Sequence, residues 1–425
     1  MQPTLAETIR SLANRRMLVM LLLGFASGLP LSLTSTALQS WLTVEGVDVK
    51  TIGIYSLVGV PYTFKFLWSP AMDRYGLVRM RLGRRRSWLV VTQVALVIAI
   101  AVLGMLDPLT QPVVLGAVAV AIAFFSASQD IAFNAYQTEV LESHERGLGV
   151  AISVGGYRLG MLVSGGLSMV LADHIGWQQT FWVMSACMAP AIFFSIIAPL
   201  PKDVPEAPGT FTSAVIDPFV EFFTRKRALA LLALVILYRL GDSYASSLTT
   251  TFLVGGVGFS QTEVGLVNKG VGVAAVLAGL AIGGALMTRL RLYTALWIFG
   301  ILQCITNLAF MALSEIGADS MALAVVVVLE NLAGGMGTTA LVALIMGLCN
   351  KKFTATQFAL LTALSAVGRY IAGPTSGYIV ASTGWTVFFF ITALTAIPGL
   401  ALLFFMRKRV LTLDAPNEEP SASTP

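Results

Sequence analysis

The chain has 425 residues, of which 56% are hydrophobic and only 12% charged, with a formal charge of +5 and a mean hydropathy of +0.81. A soluble protein of this size carries about a quarter charged residues, so a soluble enzyme or nucleic-acid-binding domain is excluded. Cys187, Cys304 and Cys349 each sit inside an apolar run, where they read as small packing residues and not as a disulfide framework.

Runs long enough to cross a ~30 Å hydrocarbon core recur from end to end. Arg10, Arg15 and Arg16 precede the first, which continues through Gly28 and Pro30 into Ser and Thr. It is too long for a signal peptide, lacks a clear small-residue cleavage site, and reads as a membrane helix. Hydropathy predicts twelve spans: 17–42, 50–71, 87–106, 112–140, 148–171, 177–199, 228–254, 262–287, 291–313, 320–348, 355–380 and 384–406.

Basic residues test that count. With both termini on the cytoplasmic side, that side receives Arg10, Arg15, Arg16, the run Arg74 to Arg86, Arg146, Lys202, Arg225 to Arg227, Arg289, Arg291, Lys351, Lys352 and Arg407 to Arg409. Lys50 alone falls in an external loop, and Lys65, Arg158, Arg239, Lys269 and Arg369 lie within spans. One missed or extra span would scramble the asymmetry.

The longest break, 200–227, begins with the proline-rich stretch Pro199 to Pro208 and ends in a short interfacial helix around Phe211 to Phe223. It divides the chain into a six-helix bundle over 1–199 and another over 228–406, with a cytoplasmic tail at 407–425. The halves repeat. Gly46 to Gly53 answers Gly258 to Gly265, and Gly156-Tyr-Arg-Leu-Gly to Gly165 answers Gly368 to Gly377, both at an offset of 212 residues. Two parallel six-helix repeats joined by a linker predict an all-α major facilitator fold with twelve transmembrane helices in two pseudo-symmetric bundles. Asp73-Arg-Tyr-Gly followed by Leu82-Gly-Arg-Arg-Arg86 looks like that fold's signature between spans 2 and 3. It makes Asp73 and Arg84, with Arg369, candidates for conformational gating.

Ionisable groups deep in spans are costly and point to function. They are Lys65, Asp130, Arg158, Arg239, Asp242, Lys269, Glu330 and Arg369, a net basic set suited to an anionic or zwitterionic solute. Arg239 and Asp242, three apart, could simply neutralise each other, and Arg158 and Arg369 could lock helix packing. Lys65 and Lys269 have no acid on their own helix and are the stronger substrate candidates, with Tyr62, Asn268 and Asn331 beside the charged positions. In span 4, Gln129 adjoins Asp130, while Asp130, Asn134 and Gln137 form one stripe at i, i+4 and i+7, expected to face a water-filled cavity. Asp130 is the candidate for proton coupling, with Asp242 second, since burial of a carboxylate favours its neutral form; Glu139 reads as solvated. His144 and His174 fall in loops on opposite sides, no cluster has metal-ligand spacing and no phosphate loop is present. No cofactor or catalytic site is expected, and an ion gradient is the expected energy source.

Longer segments carry a closer likeness: Gly24-Phe-Ala-Ser-Gly-Leu-Pro30, Val60-Pro-Tyr-Thr-Phe-Lys-Phe-Leu-Trp-Ser-Pro70, Ser126-Ala-Ser-Gln-Asp-Ile131, Gly155 to Gly165, Leu240-Gly-Asp242, Glu330 to Gly337 and Cys349 to Leu360. Through these the chain resembles the AmpG-type muropeptide permeases. The resemblance implies proton-coupled import of GlcNAc–1,6-anhydroMurNAc peptides across a Gram-negative inner membrane, in cell-wall recycling and β-lactamase induction, by a monomer working through alternating access. It implies a substrate with several carboxylates, protons and the lipid bilayer as partners, and no nucleic acid. The chain departs from the family pattern at Asn134 and Gln137, where an acid and a base three residues later are usual, and a hydrogen-bonded amide pair is the expected replacement. Some relatives also carry extra hydrophobic segments that this chain lacks. A carrier for another anionic conjugate such as acyl-coenzyme A, or a muropeptide receptor that does not transport, would share these features.

Overall fold

The computed structural model describes residues 14–74, 82–141, 146–200, 217–224, 227–349 and 354–413. Among these, ten helices are long and apolar enough to cross a membrane. Nine correspond to single spans: Arg15–Val44, Arg84–Leu103, Pro112–Val140, Leu148–Ile175, Trp177–Ile197, Ala228–Val257, Gln261–Met287, Leu292–Ile316 and Ser320–Leu348, referred to below as spans 1, 3 to 6 and 7 to 10. The tenth, Leu360–Phe405, holds two spans joined at Gly384, whose φ of 79° and ψ of 175° are not helical. A residue with a Cβ is strained there, and the glycine lets span 11 turn into span 12.

Span 2 is missing from that count because no piece of it is long enough. It runs as Val49–Tyr55, a 3-10 turn Ser56–Gly59, Val60–Phe64, a second 3-10 turn Lys65–Leu67, and Ser69–Arg74. Gly59, Pro61 and Pro70 interrupt the helix, since proline removes an amide donor and crowds the preceding turn. The result is the all-helical fold of twelve spans that hydropathy predicts.

The chain forms two compact units, one built from residues 1–208 and 253–270, the other from 209–252 and 271–425. In the first, spans 1 and 5 approach closely along two small-residue ladders. A Cβ on Gly24 or Gly28 would overlap the Ser153 or Tyr157 carbonyl oxygen, and one on Gly156 or Gly160 would overlap that of Leu21 or Phe25. Two reciprocal GxxxG patterns thus let the backbones meet without lipid between them. Both helices widen into π turns, Leu33–Ala37 and Val163–Leu167, a distortion common at functional sites. At one end of this unit, Met17, Met20, Leu23, Leu89, Phe133 and Tyr136 form an apolar core.

In the second unit the close seam lies between spans 8 and 10. A Cβ on Gly279 would overlap the Leu332 carbonyl, one on Gly335 would crowd that of Val276, and one on Gly283 would meet Met336. The linker helix Asp217–Phe223 buries Phe222 in the core of this unit with Leu231, Leu234, Phe299 and Leu403. Gln357 hydrogen-bonds the Glu221 carboxylate. The residues before Asp217 that were expected to join this helix lie outside the described residues.

Candidate functional site

The broken geometry of span 2 places Lys65 at the start of a 3-10 turn, and span 4 supplies its partner. Lys65 Nζ lies 3.4 Å from Asp130 Oδ2, and Ser27 Oγ of span 1 donates a hydrogen bond to Asp130 Oδ1. The lysine side chain keeps 34% of its exposure and the aspartate side chain 13%. Asp130 is thus held from two sides in an almost buried position, while Lys65 retains an open flank. One turn away, Trp68 Nε1 donates to Ser128 Oγ at 3.0 Å and its ring packs against Phe124 at a tilt of 39°, clamping span 2 to span 4 beside the ion pair.

The Tyr62 hydroxyl is buried beside Ser126, Thr34 and Asp130. It and the Ser126 hydroxyl stand near one another short of full hydrogen-bond geometry, and both amide atoms of Gln129 complete no hydrogen bond among the described residues. A buried polar atom without a partner is costly, so these groups on spans 2 and 4 suit polar occupants such as water, protons or ligand groups.

The polar stripe expected on span 4 divides in the structure. Asp130 and Gln137 are buried and Asn134 is exposed. Gln137 Nε2 donates to Ser153 Oγ of span 5 at 2.9 Å, so it ties two helices together instead of pairing with Asn134 or facing a cavity. An i, i+3 amide pair loses here because a hydroxyl on the neighbouring helix is already in reach of the buried amide. Glu139 is likewise not solvated: Arg85 Nε reaches its carboxylate at 2.7 Å and its side chain is 6% exposed. Arg84 stands 4.0 Å from the same oxygen atom, which makes it a peripheral member of a helix-end charge cluster. The Asp73 side chain and His144 lie outside the described residues.

Lys269 and Asn268 belong to the π turn Gly265–Val271 of span 8, within the first compact unit up to Gly270. The lysine stem lies over Gly165 and Gly166, its Cβ 3.2 Å from where a Cβ on Gly166 would stand. Arg158 is half-buried in span 5. In the second unit Arg239 and Asp242 pair at 3.8 Å, the mutual neutralisation that their spacing allowed. Asn331 Nδ2 donates to the Val327 carbonyl at 2.9 Å and abuts Gly272. Glu330 is partly buried on the same helix, and Arg369 is exposed on span 11.

Residue-by-residue reading of the sequence passed over Ser27, Ser126 and Ser153. Ser27 was within sight, since it lies inside the glycine-rich segment of span 1, one residue before Gly28. Serines are common in membrane helices, and only the fold shows which one meets a charge.

The general description of the Major Facilitator Superfamily matches residues 20–329 and 236–424. The chain belongs to that superfamily. Within it, the chain is an AmpG-type permease: it is 53% identical over 404 residues to the anhydromuropeptide permease of Escherichia coli K12, covering 95% of this chain and 82% of the relative. It is 32% identical to a Rickettsia felis protein named as a transporter, AmpG 4, over 93% and 97% of the two chains. Solved major facilitator structures share the fold at low identity. A bacterial homologue of the lysosomal transporter Spinster superposes with a TM-score of 0.70 at 15% identity, covering 95% of this chain and 99% of the other. A peptide transporter of the POT family does so with 0.72 at 12%, covering 95% and 96%.

Proposed function

We propose that this permease imports GlcNAc–1,6-anhydroMurNAc peptides from periplasm to cytoplasm, coupled to protons, in the inner membrane of a Gram-negative bacterium with both termini cytoplasmic. The observation that carries the substrate is the 53% identity to the E. coli anhydromuropeptide permease over nearly the whole chain. Bundles over 1–199 and 228–406 would serve as the two moving halves of an alternating-access carrier, acting as a monomer.

The coupling reading rests on the Ser27–Asp130–Lys65 arrangement. A lysine with an open flank and a nearly buried carboxylate partner can hold two states. In one, the carboxylate is ionised and retains the ammonium; in the other, it is protonated and the ammonium is available to a substrate carboxylate. Proton and anionic fragment then load together. Tyr62, whose hydroxyl lies near Asp130, and Gln129 and Asn134 of span 4 would add polar contacts to the substrate. Arg158, Asn268, Lys269, Glu330 and Asn331 would supply further polar contacts, and Gln137 would hold span 4 in place. Arg239 and Asp242 form a second pair with the same two-state capacity, and Asp73, Arg84 and Arg369 would act in gating.

The test is uptake of labelled anhydromuropeptide into proteoliposomes, with and without an inward proton gradient. Accumulation stimulated by the gradient is expected. Uptake indifferent to the gradient would remove the proton, and binding without accumulation would make the chain a receptor.

A further inference from the structure

The segment 253–270, the end of span 7 and the beginning of span 8, belongs to the same compact unit as spans 1 to 6. It is held there by a closed hydrogen-bond set at the end of the unit far from the start of span 1. Asp173, two residues before the end of span 5, accepts from Gln261 Nε2 at 2.8 Å on one carboxylate oxygen. The other oxygen accepts from the Thr262 backbone N–H at 2.7 Å and the Thr262 hydroxyl at 2.6 Å. Gln261 in turn accepts from Ser40 Oγ of span 1 at 2.9 Å. The helix beginning at Gln261 already has its own capping box, with Ser260 and Glu263 exchanging hydrogen bonds. The Ser260 and Glu263 N–H groups are therefore satisfied locally, and Asp173 takes the Thr262 N–H as a tie from another span.

Beneath this tie the contact is close and smooth. Gly166 and Gly265 face each other backbone to backbone, a Cβ on Gly255 would stand 2.7 Å from Thr43 Cγ2, and Met169 lies against Gly265. Gln261 and Ser40 are buried, whereas Asp173 is exposed. A seam of glycines crossed by a few hydrogen bonds at its rim can part without tearing apart interlocked side chains. We infer that Asp173, Gln261, Thr262 and Ser40 form a latch that closes this end of the carrier, and that it must open and reclose in each transport cycle. None of these four residues belongs to the proposed substrate or proton site. The latch requires a carrier that alternates, but not the muropeptide reading.

Two measurements test it. In the double variant Thr43→Cys/Gly255→Cys, the approach of the two positions is short enough for a disulfide. Oxidation is expected to lower anhydromuropeptide uptake more than about tenfold, with recovery on reduction. Fully cross-linked protein that transports like the reduced form overturns the latch. The second measurement needs no substrate. Met169→Cys, buried under the seam, is labelled with a membrane-impermeant maleimide, with the unsubstituted protein as background. Adding Asp173→Ala, or the shape-preserving Asp173→Asn, is expected to raise the labelling rate about tenfold while the melting temperature of the protein is kept. An unchanged rate in both variants overturns the proposal. If the parent protein takes up no anhydromuropeptide, the substrate reading fails and the labelling comparison still decides the latch.

Discussion

In the first compact unit the glycine seam joins spans 1 and 5, and the pair formed by spans 2 and 4 carries the Lys65–Asp130 ion pair. In the second, the pair formed by spans 8 and 10, which answers 2 and 4 in the repeat, is itself the glycine seam. Residues 212 further along from Lys65 and Asp130 are Leu277 and Val342, and those answering Gly24 and Gly28 are Ile236 and Leu240. Equivalent helix pairs therefore do opposite jobs. The second unit closes its 8–10 pair backbone to backbone, whereas the first opens the matching pair with prolines and 3-10 turns and fills it with an ion pair. The repeat fixes the order of helices, and the residues at matching positions decide which pair closes backbone to backbone and which holds charge.

The widest contrast between these pairs is in transport. Lys65→Ala or Asp130→Asn should lower gradient-driven uptake by more than about 100-fold, since the interaction lost is one the coupled step requires. Leu277→Ala and Val342→Ala should stay within about threefold. A Lys65→Ala protein that folds and accumulates substrate as well as its parent would remove the pair from the mechanism.

Stability separates the seams next. Gly28→Leu in the first unit and Gly279→Leu in the second each force a side chain into a neighbouring carbonyl, and overpacking of this kind costs roughly 1–3 kcal/mol or more. Folded yield and melting temperature in detergent should fall for both. Gly155→Ala and Gly284→Ala, where a Cβ meets nothing within 4 Å, should change stability by about 0.5 kcal/mol or less. If Gly155→Ala and Gly28→Leu melted alike, close approach would not be what these glycines provide.

The two charge pairs differ by a smaller margin. Arg239 and Asp242 keep 31% and 19% of their side-chain exposure and are neighbours on one chain segment, so Asp242→Asn should cost about 1 kcal/mol or less in thermal stability. Asp130→Asn should cost more, because the Asp130 carboxylate is the less exposed of the two acids, at 13%, and holds Ser27 as well as Lys65. Equal losses would mean that water reaches both pairs alike.

How far the sequence discloses this follows the range of each interaction. The spans are legible because hydropathy is local: Pro112–Val140 and Ser320–Leu348 have the limits that hydropathy predicts. Arg239 and Asp242 are also legible, being three residues apart. Lys65 and Asp130 were each singled out, but as separate candidates; their pairing crosses 65 residues and depends on how span 2 breaks. Gln137 was misread for the same reason, since Ser153 on another helix outcompetes its neighbour Asn134. The seam positions were invisible because a GxxxG pattern does not announce its partner helix. The interfacial linker helix shows its composition in sequence but not that Phe222 would enter the core of the second unit.

The finest distinction lies between two serines at the repeat offset, Ser164 in span 5 and Ser376 in span 11. Ser376 accepts a hydrogen bond from Ser247 Oγ of span 7 at 2.8 Å and donates its own proton to the Ala372 carbonyl at 2.6 Å. Ser164 is fully buried, and its hydroxyl completes no hydrogen bond among the described residues. The residue that would answer Ser247 is Ser35, and it is exposed and donates to the Leu31 carbonyl of its own helix instead. The same two positions thus link spans 7 and 11 by a hydroxyl bridge, while spans 1 and 5 rely on glycine contact. Side-chain hydrogen bonds between membrane helices contribute about 0.6 kcal/mol on average, so Ser376→Ala should destabilise by about that amount. Ser164→Ala should be neutral or slightly stabilising, because it removes a buried hydroxyl with no partner to lose. Melting curves of the two variants side by side decide it. A larger loss at Ser164 would mean that the first unit also uses its serine as a bridge, and that the contrast between the two seams is one of degree.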